Sequence, residues 1–255
     1  MPGKYQKLVS KRVLVVGGSS GIGYCVAEAS LESGASVTIS SSSPDRVAKA
    51  VEKLKKSYPD GEINGFPCDL SKPSLEADVE KLFEQTGKVD HIVFTAGDAL
   101  SLIPFEKVTL EDMQKAGQVR FFGQLMVAKV GSRYLSEGPQ ASITFTTGST
   151  ADKPVKGWTV VTSFAAGLHG MARGLAVDLA PVRVNVVSPG PVKTELWNGM
   201  MGQEEREKMF KQMGGNLLTK HVALPEEVAE SYLWLMKDSN VTGTVVRSDS
   251  GALLA

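Results

Sequence analysis

Short apolar runs alternate with helix-length amphipathic stretches along the whole chain. Val13-Leu14-Val15-Val16 is apolar at every position, as expected of a strand covered on both faces. A helix pattern over 21–33 follows and stops at Gly34, a residue suited to the turn that ends a helix. Residues 35–40 predict a second strand. Ser43 and Pro44 then supply an N-cap and a first helical residue for a helix over 44–58. The same alternation predicts strands over 63–67, 91–95, 142–147, 183–187 and 244–247. It predicts helices over 72–86, 110–135, 158–179 and 225–236.

This order implies βαβ units. The expected fold class is α/β: a single Rossmann-type, doubly wound parallel sheet of about seven strands with helices on both faces. No repeat or low-complexity tract interrupts it, so one domain is expected over 1–255. Segment 195–218 is polar, glycine-punctuated and rich in methionine (Met200, Met201, Met209, Met213). It is expected to form a mobile lid over a substrate cleft.

Composition narrows the picture. The chain has 255 residues, within the roughly 250–300 that one core can organise. Lys+Arg 28 equals Asp+Glu 28, which argues against nucleic acid or an anionic membrane as partner. Two cysteines, Cys25 and Cys68, are too few for a disulfide framework and suit a reducing compartment. Neither the segment before the first strand nor any later run has the apolar character of a leader or membrane span. A soluble, cytoplasmic protein is expected. His91, His169 and His221 are scattered without ligand spacing, so no metal site is expected.

The chemistry begins at Val16-Gly17-Gly18-Ser19-Ser20-Gly21-Ile22-Gly23, directly after the first strand and opening the first helix. Glycines there allow a tight turn and let backbone N–H groups approach a pyrophosphate. Gly17, Ser19, Ser20, Gly21, Ile22 and Gly23 are therefore candidate dinucleotide contacts. The second strand ends in Ser40-Ser41-Ser42-Ser43 rather than in an acidic residue. A carboxylate would repel a 2′-phosphate, whereas hydroxyls donate to it. Ser41, Ser42 and Ser43, with Arg46 in the next helical turn, favour NADP(H) over NAD. The plainer alternative is that Ser43 is only an N-cap and its neighbours are solvated.

Five segments in the right order resemble the short-chain dehydrogenase/reductase (SDR) family. The glycine turn has the family's spacing, with Val16 where Thr is usual. Asp69-Leu70 resembles the pair that contacts adenine. Phe94-Thr95-Ala96-Gly97 resembles the segment beside the adenine ribose, which implies roles for Ala96 and Gly97. Arg183 to Gly190 resembles the strand and Pro-Gly turn under the nicotinamide, implying contacts from Pro189 and Gly190. Val192 and Thr194 match the positions that bond the carboxamide.

The resemblance fails where the family keeps its catalytic Asn, Ser, Tyr and Lys. The corresponding positions hold Arg120, Gly148, Val161 and Ala165. Ketone reduction makes an alkoxide and needs a placed acid. Val161 is none. Reduction of an iminium makes a neutral amine, and reduction of an activated alkene makes an enolate that donors can hold. An imine, iminium or activated alkene is the expected substrate. A cofactor-binding scaffold without turnover and a carbonyl reductase with a substitute acid are the alternatives.

The replacements are candidates themselves. Arg120 should face the cleft and need a partner, either substrate or Asp152; an interface ion pair is the alternative. Trp158 precedes Val161 by one helical turn and can stack on a flat substrate or simply pack. Asp152 lies in a loop where an acid can reach the cleft, or where it is merely solvated. Thr147 and Ser149 can orient substrate or cap the loop. Arg120 and Trp158 together resemble a narrower group, the fungal reductase/Diels–Alderases of malbrancheamide- and paraherquamide-type alkaloid pathways. That resemblance implies a secondary metabolite and an intramolecular cycloaddition. Apolar faces on the helices over 110–135 and 158–179, and the family habit, imply a homodimer or homotetramer.

Overall fold

The computed structural model describes residues 3–100, 102–199 and 202–255. Met200 and Met201, expected in the lid, lie outside the described residues. The strands are β1 (Arg12–Val16), β2 (Ser36–Ser41), β3 (Ile63–Pro67), β4 (His91–Phe94), β5 (Ser142–Thr146), β6 (Arg183–Pro189) and β7 (Val245–Ser248). The helices are α1 (Gly21–Glu32), α2 (Pro44–Ser57), α3 (Leu75–Thr86), α4 (Leu110–Gly117), α5 (Gln124–Gly131), α6 (Thr159–Asp178), α7 (Gln203–Asn216) and α8 (Pro225–Lys237). All seven strands are parallel, in the order β3-β2-β1-β4-β5-β6-β7. The doubly wound α/β sheet expected from the apolar pattern is the fold.

Period-two alternation splits β1 between two cores. Val13 and Val15 join a cluster with α1, α2 and α8, whereas Leu14 and Val16 join one with α3, α5 and α6. Strand order reverses between β1 and β4, the place where open α/β sheets bind ligands at their carboxyl ends. The glycine turn and Thr95 sit at that point.

Two long expectations change. The helix over 110–135 is not continuous: a π-helical turn, Gln118–Gly123, separates α4 from α5. Its cause is visible at Gln124, which is buried. The Gln124 amide donates to the Arg120 carbonyl at 2.6 Å and to the Thr146 carbonyl at 3.1 Å. A side chain inserted in the helical ladder widens it. Gln118 donates to the Leu70 carbonyl at 3.2 Å, tying the same turn to the loop after β3. The expected lid is largely helical, with a 3-10 turn (Glu195–Gly199) and α7.

α6 is long and apolar enough by length and composition to cross a membrane, yet it packs against β6 in the sheet's own helical layer. Only 11% of its apolar window is buried.

Candidate active site

A cleft of about 1510 Å³ runs along the carboxyl ends of the strands. Its first wall is the glycine turn. Gly17 has φ +95°, and a Cβ there would lie 2.3 Å from Ala96 N. A Cβ on Gly23 would lie 2.3 Å from both Gly17 O and Thr95 Oγ1. Side chains are excluded at both positions by backbone, so the turn is set against β4. Ser20 takes the N-cap position of α1 without a side-chain capping bond. The positive end of α1 is thus open to an anion. Gly17, Ser19, Ser20, Gly21, Ile22 and Gly23 all line the cleft. This cradle fits a dinucleotide pyrophosphate.

At one end, Ser41, Ser42 and Arg46 line the cleft, and Arg46 Nη2 donates to Ser42 Oγ at 2.8 Å. Ser43 does not line it. Its hydroxyl accepts from Arg46 N at 3.4 Å as the cap of α2, which corrects the expectation that it faces a phosphate. Asp69, Leu70, Ala96 and Gly97 line the middle. Asp69 accepts from the Ser71 hydroxyl at 2.7 Å, and that bond holds its carboxyl below the usual range. Toward the other end stand Pro189, Gly190, Val192 and Thr194.

The remaining wall is where chemistry would occur. Gly148, Val161 and Ala165 line it, and none carries an acid. Thr147 lines it with its hydroxyl donated to the Ala165 carbonyl at 2.7 Å, so only lone pairs remain for a ligand. Ser149 and Trp158 also line it. Asp152 does not. The 3-10 turn Ser149–Ala151 carries it away, and Arg247 Nε pairs with its Oδ2 at 3.1 Å. The expectation that Asp152 serves the cleft or partners Arg120 is thereby corrected.

Arg120 has a different partner. Its Nε lies 3.1 Å from Asp98 Oδ1, and Nη2 also donates to the Asp98 carbonyl. Both residues line the cleft, so their open surface faces it. Withdrawal from water pushes the Asp98 carboxyl above its ordinary range against the pull of Arg120. The same withdrawal lowers the Arg120 guanidinium. A Cβ on Gly97 would lie 2.8 Å from that guanidinium, so the pair rests on a bare backbone.

Several site residues escaped the sequence reading. Asp98 directly follows Ala96-Gly97, and that adjacency was the available signal. Gln124 gave none, because one buried glutamine in an apolar helix resembles any other. Trp197 lines the cleft, bonded through Nε1 to the Val192 carbonyl at 2.9 Å. Residues 252, 253 and 255 also line it, although nothing in their pattern marks a wall. Burial pushes the Cys25 thiol up to about 11 and the Cys68 thiol up to about 12, which disfavours the thiolate form of both. Among the described residues no cluster could hold a metal ion.

A doubly wound sheet with this glycine turn and cleft has the architecture of a dinucleotide-binding domain. The chain belongs to the SDR family: the family model for the SDR-like Rossmann domain matches residues 4–255. It is 44% identical over 261 residues to the short-chain dehydrogenase/reductase fsr5 of Gibberella fujikuroi, covering 99% of this chain and 98% of that protein. The MalC reductase/Diels–Alderase structure from Malbranchea aurantiaca superposes with TM-score 0.94 at 40% identity, covering 99% of this chain and all of that one (100%). A small-chain dehydrogenase in complex with NADPH matches with TM-score 0.78 at 29% identity, covering 96% of this chain and 100% of that one.

Proposed function

We propose that this protein is an NADPH-dependent reductase of a flat, ring-containing secondary metabolite, acting on an imine, iminium or activated alkene without the family's usual catalytic tetrad. One observation carries the reading. The wall that would need an acid presents Gly148, Val161 and Ala165, while the Arg120–Asp98 ion pair lines the same cleft.

NADPH, when bound, supplies a hydride. Ser42 and Arg46 would hold the 2′-phosphate; the 2.8 Å bond between them pre-aims the guanidinium. The open N-terminus of α1 and the glycine turn would hold the pyrophosphate. The complex of a family neighbour with NADPH supports this choice.

The protein's part at the substrate is electrostatic. The Asp98 carboxylate offsets the charge of a cationic C=N. The Arg120 guanidinium holds an enolate oxygen. Reduction of an iminium ends in a neutral amine, so no proton is required at that moment. Trp158 and Trp197 supply flat apolar surface for rings. Likeness to MalC, a reductase/Diels–Alderase, supports a secondary-metabolite substrate. The same likeness supports an intramolecular cycloaddition coupled to the reduction.

We also propose that two copies associate through α4, α5 and α6. Phe122, Leu125 and Val177 are exposed on this segment and α6, and Phe122 of the π-helical turn packs edge-on against Phe164 of α6.

The test is a single-turnover absorbance trace at the nicotinamide band, with parallel panels of cyclic iminium ions, enones and ketones. Oxidation of NADPH by the iminium or enone panel, with ketones inert, supports the proposal. Ketone turnover alone overturns it, and binding of NADPH without turnover of any panel favours the scaffold.

A further inference from the structure

Residues 249–255, which follow β7, run back across the cleft and are tied down from two sides. Lys153, in the loop between β5 and α6, donates from Nζ to the Ala252 carbonyl at 3.0 Å and also to a backbone oxygen of Ala255. On the other side, Leu218 N and Thr219 N donate to the Ser250 carbonyl at 3.1 and 3.4 Å. Gly251 has φ +74°, and a Cβ there would lie 2.8 Å from the Leu218 side chain. The segment therefore fits only as a close-packed strap between the loop and the end of α7. Next to Lys153, the Asp152–Arg247 pair fastens the same loop to β7.

The strap has two faces. Ala252, Leu253 and Ala255 line the cleft, whereas Leu254 is 82% exposed. Pro154 and Val155 line the cleft beside them. The side chains of these lining residues are apolar, and the Lys153 ammonium is held by backbone oxygens of the strap. A wall of this kind accepts an uncharged hydrocarbon group and disfavours a charged one.

We propose that residues 252–255 with Pro154 and Val155 form a subsite for an apolar alkyl or aryl group of the substrate, and that Lys153 is its positioning residue. The subsite rests on the reading of this cleft as a substrate cleft, and it adds the class of group the distal end takes. Lys153 acts by holding the strap, not by touching the reacting bond.

The experiment uses N-alkyl-3,4-dihydroisoquinolinium ions from N-methyl to N-butyl, binding to the protein saturated with NADP+, measured by calorimetry. Hydrogen exchange at 249–255 is followed in parallel. In the native protein each added methylene should tighten binding about fourfold, the value for burial of one CH₂. Lys153→Met should cut that gain below twofold and speed exchange of 249–255, and Lys153→Arg should restore both. Nicotinamide fluorescence confirms that each variant still binds NADPH and is folded. No dependence on chain length in the native protein overturns the subsite. Unchanged exchange in Lys153→Met overturns the role of Lys153. If no member of the series binds at all, the iminium reading fails instead, and the exchange data still decide what holds the strap.

Discussion

Arg120 Nε sits 3.1 Å from Asp98 Oδ1 on the wall of the cleft, twenty-two residues apart in sequence. The pair joins the loop after β4 to the π-helical turn, and each partner is the other's nearest countercharge. Removing either leaves the other without its countercharge on a wall that is only partly open to water.

That relationship separates substrates by charge. Arg120→Ala should lower turnover of a neutral enone by about 10²–10³-fold, the range for losing a placed donor at a developing oxyanion. Asp98→Asn should instead fall hardest on a cationic iminium, by about tenfold or more. Steady-state kinetics on both substrates with each variant would show the crossover. Equal losses on both would reduce the pair to a structural tie.

Arg46→Ala should weaken NADPH binding by about tenfold or more, the worth of a charge-assisted hydrogen bond, and leave NADH nearly unchanged. Fluorescence titration with both nucleotides measures it. A parallel loss of NADH affinity would place Arg46 in the scaffold of α2 rather than at a phosphate.

Asp90 links acid sensitivity to the sheet. Burial alone would raise its carboxyl, but bonds from Arg12 and Ser136 take it down to about 2. The unfolded carboxyl titrates at about 4. The stabilisation is therefore complete above about pH 4 and lost as pH falls through about 2, amounting to about 2 kcal/mol. His91 acts in the same direction: buried against Ser142 at 2.9 Å, it is pulled down to about 3. Its share begins to disappear below its unfolded value of about 6.5. Urea unfolding across this range should show Asp90→Asn less stable at neutral pH. The variant should also be flatter below about pH 4, with the His91 slope retained.

Leu125→Asp combined with Val177→Asp should convert the proposed assembly to monomers that still bind NADPH. Sedimentation velocity decides it. An unchanged sedimentation coefficient would move the interface elsewhere.

The parts legible in the sequence are those where geometry follows from local pattern. All-apolar strands, Gly34 and the Ser43–Pro44 pair determined the sheet and its helices. The glycine turn was legible because backbone contact at Gly17 and Gly23 forbids any other residue. Arg120 was legible as a cleft residue by its position. Its partner was not, because Asp98 meets it only through folding of separate elements. Asp152 misled for the same reason: its acid was visible, but the orientation toward Arg247 is set by β7, far along the chain. Ser43 had two possible uses, and the helix took the local one.

The π-helical turn at Gln118–Gly123 gives the long segment two phases. Each residue of an α-helix advances the azimuth by about 100°, so a widened turn resets which side the following residues present. Before it, α4 buries only Gly117; after it, α5 buries Gln124, Val127, Ala128, Val130 and Gly131. One continuous rod would have to compromise between these two facings. The change of phase puts Val119 and Arg120 of the turn on the cleft while the carboxyl-terminal half packs into the core. A single-residue deletion inside the turn would bring the halves back into step and rotate Arg120 out of alignment with Asp98.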